Sequence, residues 1–411
     1  MKEIEDWLYS RVGLNFRKGL ERVQEARLLL GKPDEAYPII HVTGTNGKGS
    51  TIAFLRSLLM AHGQKVGTFT SPHIVTIRDR ICVDGEPISE ADFVRLVQQV
   101  EEMEETLRQS QDSLSFFEIL TLMGFLYFKE QEVDVVLLEV GIGGLLDTTN
   151  IVTGEISVIS SIGLDHQETL GNSIEEIAEQ KAGIFKAAKM ALIGPLPSVA
   201  RAVCQEIAQD LSTELRMYGE DFQLSEGFFR NKERAIAIPR LGLQGEHQKE
   251  NAALAIEAFL AFMDKRNLPI LVEQMAPALE ETRWAGRLEF IEPNIYLDGA
   301  HNLAAMERLS QVISTYPQDT VSILFGALKR KDYQAMLDYL QERFPQADLY
   351  LTSFGDSGSL GEGDVAGISF LPSYQSFLEE FQEEKQKTLF VVGSLYFVAE
   401  VRAYLLEKQK N

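Results

Sequence analysis

The chain has 411 residues, 61 of them acidic against 39 Lys and Arg, for a formal net charge of −22. That length exceeds what one hydrophobic core usually serves, so two domains are expected. The 45% apolar and 24% charged content excludes a disordered chain, and the acidic balance argues against a protein that coats nucleic acid through counterion release.

Two cysteines, Cys82 and Cys204, are too few for a disulfide framework or a zinc site, so a reduced, cytoplasmic chain is expected. Residues 1–7 carry charge where a signal peptide carries an apolar run. No stretch reaches the ~18 uninterrupted apolar residues of a membrane span. Small anionic ligands remain open to it, given local basic sites.

After an N-terminal amphipathic stretch, strand and helix patterns alternate. Tyr37–Val42 is an apolar run, followed by a glycine-rich turn and a helical stretch from Ser50 to Ala61 closed by Gly63. Lys65–Phe69 reads as the next strand. Ser89 followed by Asp92 caps a helix whose apolar positions Phe93, Leu96, Val97, Val100 and Met103 recur at helical spacing. The helical stretch Phe116–Lys129 precedes the strand Val133–Val140, and the strand Ile156–Ile162 leads to a helix opened by Ser173 and Glu176. Residues 215–241 break the rhythm and read as short antiparallel strands, followed by helices near 247–264 and 271–281. A second alternating series has strands at Ile295–Leu297, Val321–Phe325, Asp348–Leu351 and Thr388–Val392, with Gly355–Gly367 as a mobile loop. The expected fold class is α/β: a P-loop parallel-sheet domain with a small antiparallel subregion, residues 1–286, and a Rossmann-like α/β domain, 287–411.

Between the first strand and its helix lies His41-Val-Thr-Gly-Thr-Asn-Gly-Lys-Gly-Ser50. Glycines that expose backbone N–H groups, a helix N-terminus and Lys48 are what a phosphate cradle needs. It is not a strict Walker A, since Val42 stands where the first glycine belongs and Gly49 replaces the hydroxyl residue after the lysine. Ser71, in Thr70-Ser-Pro-His73, could then supply the hydroxyl to Mg²⁺; its alternative is an ordinary turn. Glu139 lies in the apolar run Val135–Val140, where a lone carboxylate is costly unless protonated, paired or bound to metal. His166 follows the next strand, at the end where parallel sheets bind ligands, or it is a structural histidine. Lys181 falls near the centre of the stripe Ile174, Ile177, Ala178, Ile184 and Phe185. Such a lysine has a depressed pKa, and its neutral amine can take up CO₂ as a carbamate; the alternative is snorkelling or pairing with an acid. In the second domain Asp298 and His301 end a strand, Asn302 can cap the following helix, and Arg287 stands at the junction.

Taken in order, these segments resemble the folylpolyglutamate synthase/dihydrofolate synthase family of the Mur ligase superfamily. The resemblance covers nearly the whole chain. It runs through His41–Ser50, Ser71-Pro-His73, Leu138–Gly144 with Asp147-Thr-Thr-Asn150, Asp165-His166, Lys181-Ala-Gly-Ile-Phe185, Gln248 with Asn251, Gly286-Arg287 and Asp298-Gly-Ala-His-Asn302. It implies that Gly44, Thr45, Asn46, Gly47, Lys48, Gly49 and Ser50 hold ATP phosphates, and that Ser71, Glu139 and His166 bind Mg²⁺, with two ions expected. It further implies a carbamate on Lys181, ATP-site roles for Asn251, Arg287 and Asp298, and a positioning role for His301 on glutamate or ATP. Phe117, Glu118 and Thr121 match a folate-side region. Lys48, Glu139, His166, Lys181 and His301 form the implied catalytic set.

The implied reaction adds L-glutamate to a folate carboxylate, or to dihydropteroate, through an acyl phosphate made with ATP. The implied protein is a monomer that binds neither nucleic acid nor membrane. Domain closure about residue 286 is expected to bring Arg287 and Asp298 to the phosphate loop. A peptidoglycan Mur ligase carries a further N-terminal domain, for which a phosphate loop beginning by residue 44 leaves no room. A P-loop ATPase switch or motor without ligase activity is the alternative of a different class.

Overall fold

The computed structural model describes residues 2–14, 19–292, 294–382, 384 and 386–409. The chain divides into two compact units: Met1–Leu241 with Lys249–Thr282, and Gly242–Gln248 with Arg283–Asn411. The division falls at Thr282, a few residues before the sequence-based boundary, and a short segment ahead of it belongs with the second unit.

In the first unit the N-terminal helices α1 (Lys2–Tyr9) and α2 (Glu21–Leu29) lead to strand β1 (Ile39–Thr43), helix α3 (Lys48–Ala61) and strand β2 (Val66–Phe69). A hairpin of β3 (Ile81–Val83) and β4 (Glu86–Pro87) follows, then α4 (Glu90–Leu107), α5 (Phe116–Glu130), β5 (Val135–Glu139) and β6 (Ile156–Ile159). The series continues with the short α6 (Gln167–Leu170), α7 (Ile174–Ala182), β7 (Met190–Ile193), α8 (Ser198–Asp210) and β8 (Glu214–Met217). One eight-stranded sheet results, in the order β4-β3-β2-β5-β1-β6-β7-β8. All strands from β2 to β8 in that order run parallel; the β3–β4 hairpin is antiparallel.

Every residue of β1, β2, β5 and β6 is buried, as expected for strands covered on both faces. One cover is the core of α1, α2, α4 and α5, containing Leu8, Val23, Phe93, Val97, Ile119 and Phe128. Another is the core of α7 and α8, with Ile177, Ala178, Ala200 and Cys204. The capping boxes at Ser115 and Ser173 are formed, with Glu118 and Glu176 as reciprocal acceptors.

The segment read as antiparallel needs correction at its start. Strand β8 joins the edge of the large sheet parallel to β7, because its alternation is masked by half-buried Leu215, Arg216 and Met217. Only β9 (Phe222–Ser225), β10 (Phe228–Asn231) and β11 (Ala235–Ala237) form the small antiparallel sheet. Helices α9 (His247–Lys265) and α10 (Val272–Glu280) follow.

The second unit carries a six-stranded sheet, β12-β13-β17-β14-β15-β16. Its elements are β12 (Glu289–Glu292), β13 (Ile295–Leu297), α11 (Leu303–Ile313), β14 (Val321–Phe325), α12 (Tyr333–Arg343), β15 (Asp348–Thr352), β16 (Ser369–Leu371), α13 (Tyr374–Phe381), β17 (Thr388–Val392) and α14 (Leu395–Lys408). Apart from antiparallel β12 the strands run parallel, with Met306, Leu309, Met336 and Leu337 packed in one core and Leu378, Val398 and Val401 in the other. Residues 355–367, read as a mobile loop, are pinned instead: Ser359 bridges to Leu328, Leu360 is buried, and Lys329 pairs with Asp364 at 2.8 Å.

Candidate functional site

Four neighbouring strands of the first sheet, β2, β5, β1 and β6, release their C-terminal ends along one edge. From β1 the chain runs through Gly44–Gly47 into α3. Gly44 and Gly47 have φ of 155° and 89°, and a side chain at either would collide: Gly44 backs onto Ser160, and Gly47 onto the Asn251 carboxamide. The loop is held from behind. Thr45 N donates to Ser161 O (2.8 Å), Asn46 N to Ser161 Oγ (2.9 Å), Ser160 Oγ to Asn46 O (2.6 Å), and Thr45 Oγ1 to Gly163 O (3.1 Å). Gly49 and Ser50 lie buried in the first turn of α3, at the helix start where N–H groups are left for an anion. Lys48 Nζ donates back to Gly44 O at 2.9 Å.

Glu139 closes β5 directly beside Val42 of β1. It is 4% exposed, with Oε2 accepting from Ser71 N at 2.9 Å and Oε1 4.0 Å from Lys48 Nζ. Lys48, Glu139 and Ser71 therefore meet. His166 stands immediately before α6 with a φ of 50°; its imidazole is 41% exposed and stands 4.0 Å from Asp165 Oδ1. Among the described residues no three His, Cys, Asp or Glu side chains form a metal cage. The Glu139 carboxylate and Ser71 beside the glycine-rich loop still fit Mg²⁺, which keeps water and phosphate oxygens among its ligands, and His166 follows β6 on the same edge of the sheet, beyond β1.

Lys181 is 3% exposed on α7. Its amine is brought down to about 7, first by burial and then by the positive charge of Lys48, against the opposing pull of Asp165 and Asp147. The electrostatics thus join Lys181 to Lys48. The neighbouring loop packs on the same helix: Leu145 N donates to Gln180 O at 2.6 Å, and Asn150 Nδ2 to Gly183 O at 3.0 Å.

Of the folate-side candidates on α5, Phe117 turns its ring to Gly141 and stacks obliquely on Phe69, 5.7 Å between centroids. Glu118 and Thr121 point inward. Glu118 is buried and takes Arg22 at 2.7 Å and Ser115 N at 2.7 Å, while Thr121 Oγ1 donates to Phe117 O at 2.8 Å.

A separate group lies in the second unit. Asp298, at the end of β13, accepts from Leu288 N and Ala300 N, each at 2.9 Å. Burial raises its pKa and nearby Arg287 opposes the rise. His301 Nδ1 lies 2.8 Å from Gly299 O, and Asn302 caps α11 through Ala305 N.

Residues 42–259 match the Mur ligase middle domain family. The chain is 36% identical to the dihydrofolate synthase/folylpolyglutamate synthase of Bacillus subtilis (strain 168), over 98% of this chain and 99% of that one. It superimposes on Mycobacterium tuberculosis folylpolyglutamate synthase complexed with ADP and AMPPCP with a TM-score of 0.86, at 27% identity and over 98% and 97% of the two chains. An FPGS–AMPPCP–folate complex gives a TM-score of 0.85, at 30% identity and over 98% and 99%. The chain belongs to the folylpolyglutamate synthase/dihydrofolate synthase family.

For a member of this family the sequence reading missed several groups at the site. Asp147 is buried, and burial raises its pKa against hydrogen bonds from Thr149, Ile142 and Gly141. Asp165 acts on Lys181 electrostatically. Ser160 and Ser161 hold the 44–47 loop. Their only sequence signal is position, at the end of an apolar strand.

Proposed function

We propose that the edge bearing Lys48, Glu139, Ser71 and Lys181 is where this ATP-dependent folate ligase activates its substrate carboxylate. The observation that carries the reading is the contact of Glu139 with both Ser71 N and Lys48, beside a loop whose glycines press close against Ser160 and Asn251. The γ-phosphoryl group of ATP passes to a carboxylate oxygen of the folate, leaving ADP and an acyl phosphate. The amine of L-glutamate attacks the acyl carbon, phosphate departs with the C–O electron pair, and the amine releases a proton.

In this scheme residues 44–50 with Lys48 hold and neutralise phosphate oxygens, and Asn251 backs the loop. Glu139, with Ser71 and His166, would hold Mg²⁺, two ions on this reading, which when bound would neutralise charge at the transferred group. Lys181 meets the requirement for a carbamate, a buried amine with a lowered pKa and no hydrogen bond or ion pair to another side chain among the described residues. Phe117 offers an aromatic face on the folate side, with Glu118 and Thr121 shaping the helix behind it. In the second unit we assign Arg287 and Asp298 to nucleotide and His301 to glutamate or ATP; residues 1–286 carry most of the ATP site, and 287–411 add Arg287 and Asp298 to it and serve glutamate ligation. We take the working form to be a cytoplasmic monomer, which sedimentation at the mass of one chain would support.

The test is ATP turnover. It should require both a folate acceptor and L-glutamate; vigorous hydrolysis with neither would favour a switch or motor. Comparing dihydropteroate with a reduced folate monoglutamate, each with radiolabelled glutamate, decides whether the dihydrofolate synthase reaction is also carried. Native mass spectrometry should find one acid-labile CO₂ on Lys181.

A further inference from the structure

The decapeptide that forms the glycine-rich loop begins with a histidine for which the reaction has no use. His41 is fully buried in β1. It shares a face of the strand with Thr43, two residues on, and both side chains reach the loop that follows β5. Thr43 Oγ1 donates to Gly143 O at 2.6 Å, and His41 Nε2 lies 2.9 Å from Thr149 Oγ1. The Thr149 hydroxyl has one hydrogen and gives it to Asp147 Oδ1 at 2.5 Å. His41 must then be the donor, with its proton on Nε2. Among the described residues its Nδ1 is left as a buried acceptor with no partner. An orphan ring nitrogen in a buried strand is unfavourable, so packing alone does not account for an imidazole here.

We propose that His41 is a positioning residue, which through Thr149 fixes the Asp147 carboxylate and with it the loop that braces the Lys181 helix. The path is continuous in bonded groups. Asp147 Oδ1 also accepts from Thr149 N, and Oδ2 accepts from Ile142 N, both at 2.9 Å. The loop then meets α7 through Leu145 N and Gln180 O, and Gly144 lies against the Gln180 and Lys181 carbonyls with no room for a β-carbon. A chain that starts two residues before Thr43 thus links the strand that launches the glycine-rich loop to the register of Lys181. The inference rests on Lys181 serving the reaction, as proposed above.

The test is a double-mutant cycle. Thr149→Val and His41→Leu should each lower kcat by about tenfold or more, as loss of an outer hydrogen-bonding partner does at ligand sites, with KM for ATP little changed. The double variant should be no worse than the worse single one, and Thr149→Ser, which keeps the hydroxyl, should recover most of the rate. Multiplicative losses in the double variant, or a serine variant as impaired as the valine one, would overturn the proposal. NMR of the ¹⁵N-histidine-labelled wild type tests the chain without any variant having to fold. His41 should be the Nε2–H tautomer and stay neutral well below pH 6, because burial and the charge of Lys186 draw its pKa to about 3. An Nδ1–H tautomer would overturn the chain. If tautomer and cycle hold while Lys181→Met keeps full activity, the reading of Lys181 fails and the chain itself stands.

Discussion

Glu139 is an acid at the end of a strand whose other four residues are apolar and buried. Its two oxygens address different tasks: one orients the Ser71 backbone, the other faces Lys48. Glu139→Ala should lower Mg²⁺-dependent turnover on the order of a hundredfold, and Glu139→Gln, which still accepts from Ser71 N, should fall nearly as far. Both should melt close to the parent; collapse of the alanine variant on heating would mark Glu139 as a structural residue. This residue was legible because a lone carboxylate in an apolar run violates the cost of burying charge. Lys181 was legible for the same reason on a helical stripe. Asp147 broke no such rule: an aspartate in a glycine-rich loop is ordinary turn chemistry, and only folding reveals that it is buried. Ser160 and Ser161 carried no signal because their work is done on a loop more than a hundred positions away in the chain.

Among the elements, α5 carries the segment expected on the folate side, and its Glu118 also serves as an anchor. Glu118 closes the capping box of α5 and pairs with Arg22 of α2, both side chains being about nine-tenths buried. Removing the acid leaves a guanidinium without its partner, so Glu118→Ala should cost about 3–5 kcal/mol in urea unfolding. Replacing both members with apolar residues of similar volume should cost less. A raised KM for folate at unchanged stability in Glu118→Gln would instead give the residue to the substrate. Helices and buried strands were readable here from period and continuous apolar runs. The β3–β4 hairpin and β8 were not: two- to four-residue strands at the sheet edges are too short to set a pattern, and pairing with a neighbour decides their direction.

Across the whole molecule, acid should act through histidines that folding keeps neutral. Burial draws His41 to about 3, and burial with adjacent arginine draws His73 and His247 to about 4, against about 6.5 when unfolded. The unfolded chain then binds more protons than the folded one, so stability should fall as pH drops from about 6.5 toward 4. Asp147 and Asp298, whose pKa burial raises, work in the opposite sense at the lower end. Urea midpoints between pH 7 and 4.5 check this; a flat profile would mean the imidazoles are charged in the fold. Lys181, where it is not carbamylated, has the same sign at higher pH: its neutral amine should add stability between about 7 and 10.5, and Lys181→Met should remove that rise. The two-unit plan was legible because each alternating series can close its own sheet. That residues 242–248 travel with the second unit was not, since contact rather than pattern decides membership.

The loop at residues 44–47 is tied down by Ser160, Ser161 and Gly163 before any ligand arrives. Each ordered residue loses roughly 1–2 kcal/mol of backbone freedom, and here that loss is charged to folding, not to association. If this loop holds phosphate as proposed, a nucleotide meeting it needs to freeze little but itself, and a stiff backbone cradle would grip the phosphates common to a substrate and its spent diphosphate about equally. Telling fresh nucleotide from used would then fall to groups beyond the loop, and the loop's rigidity would slow the escape of the diphosphate.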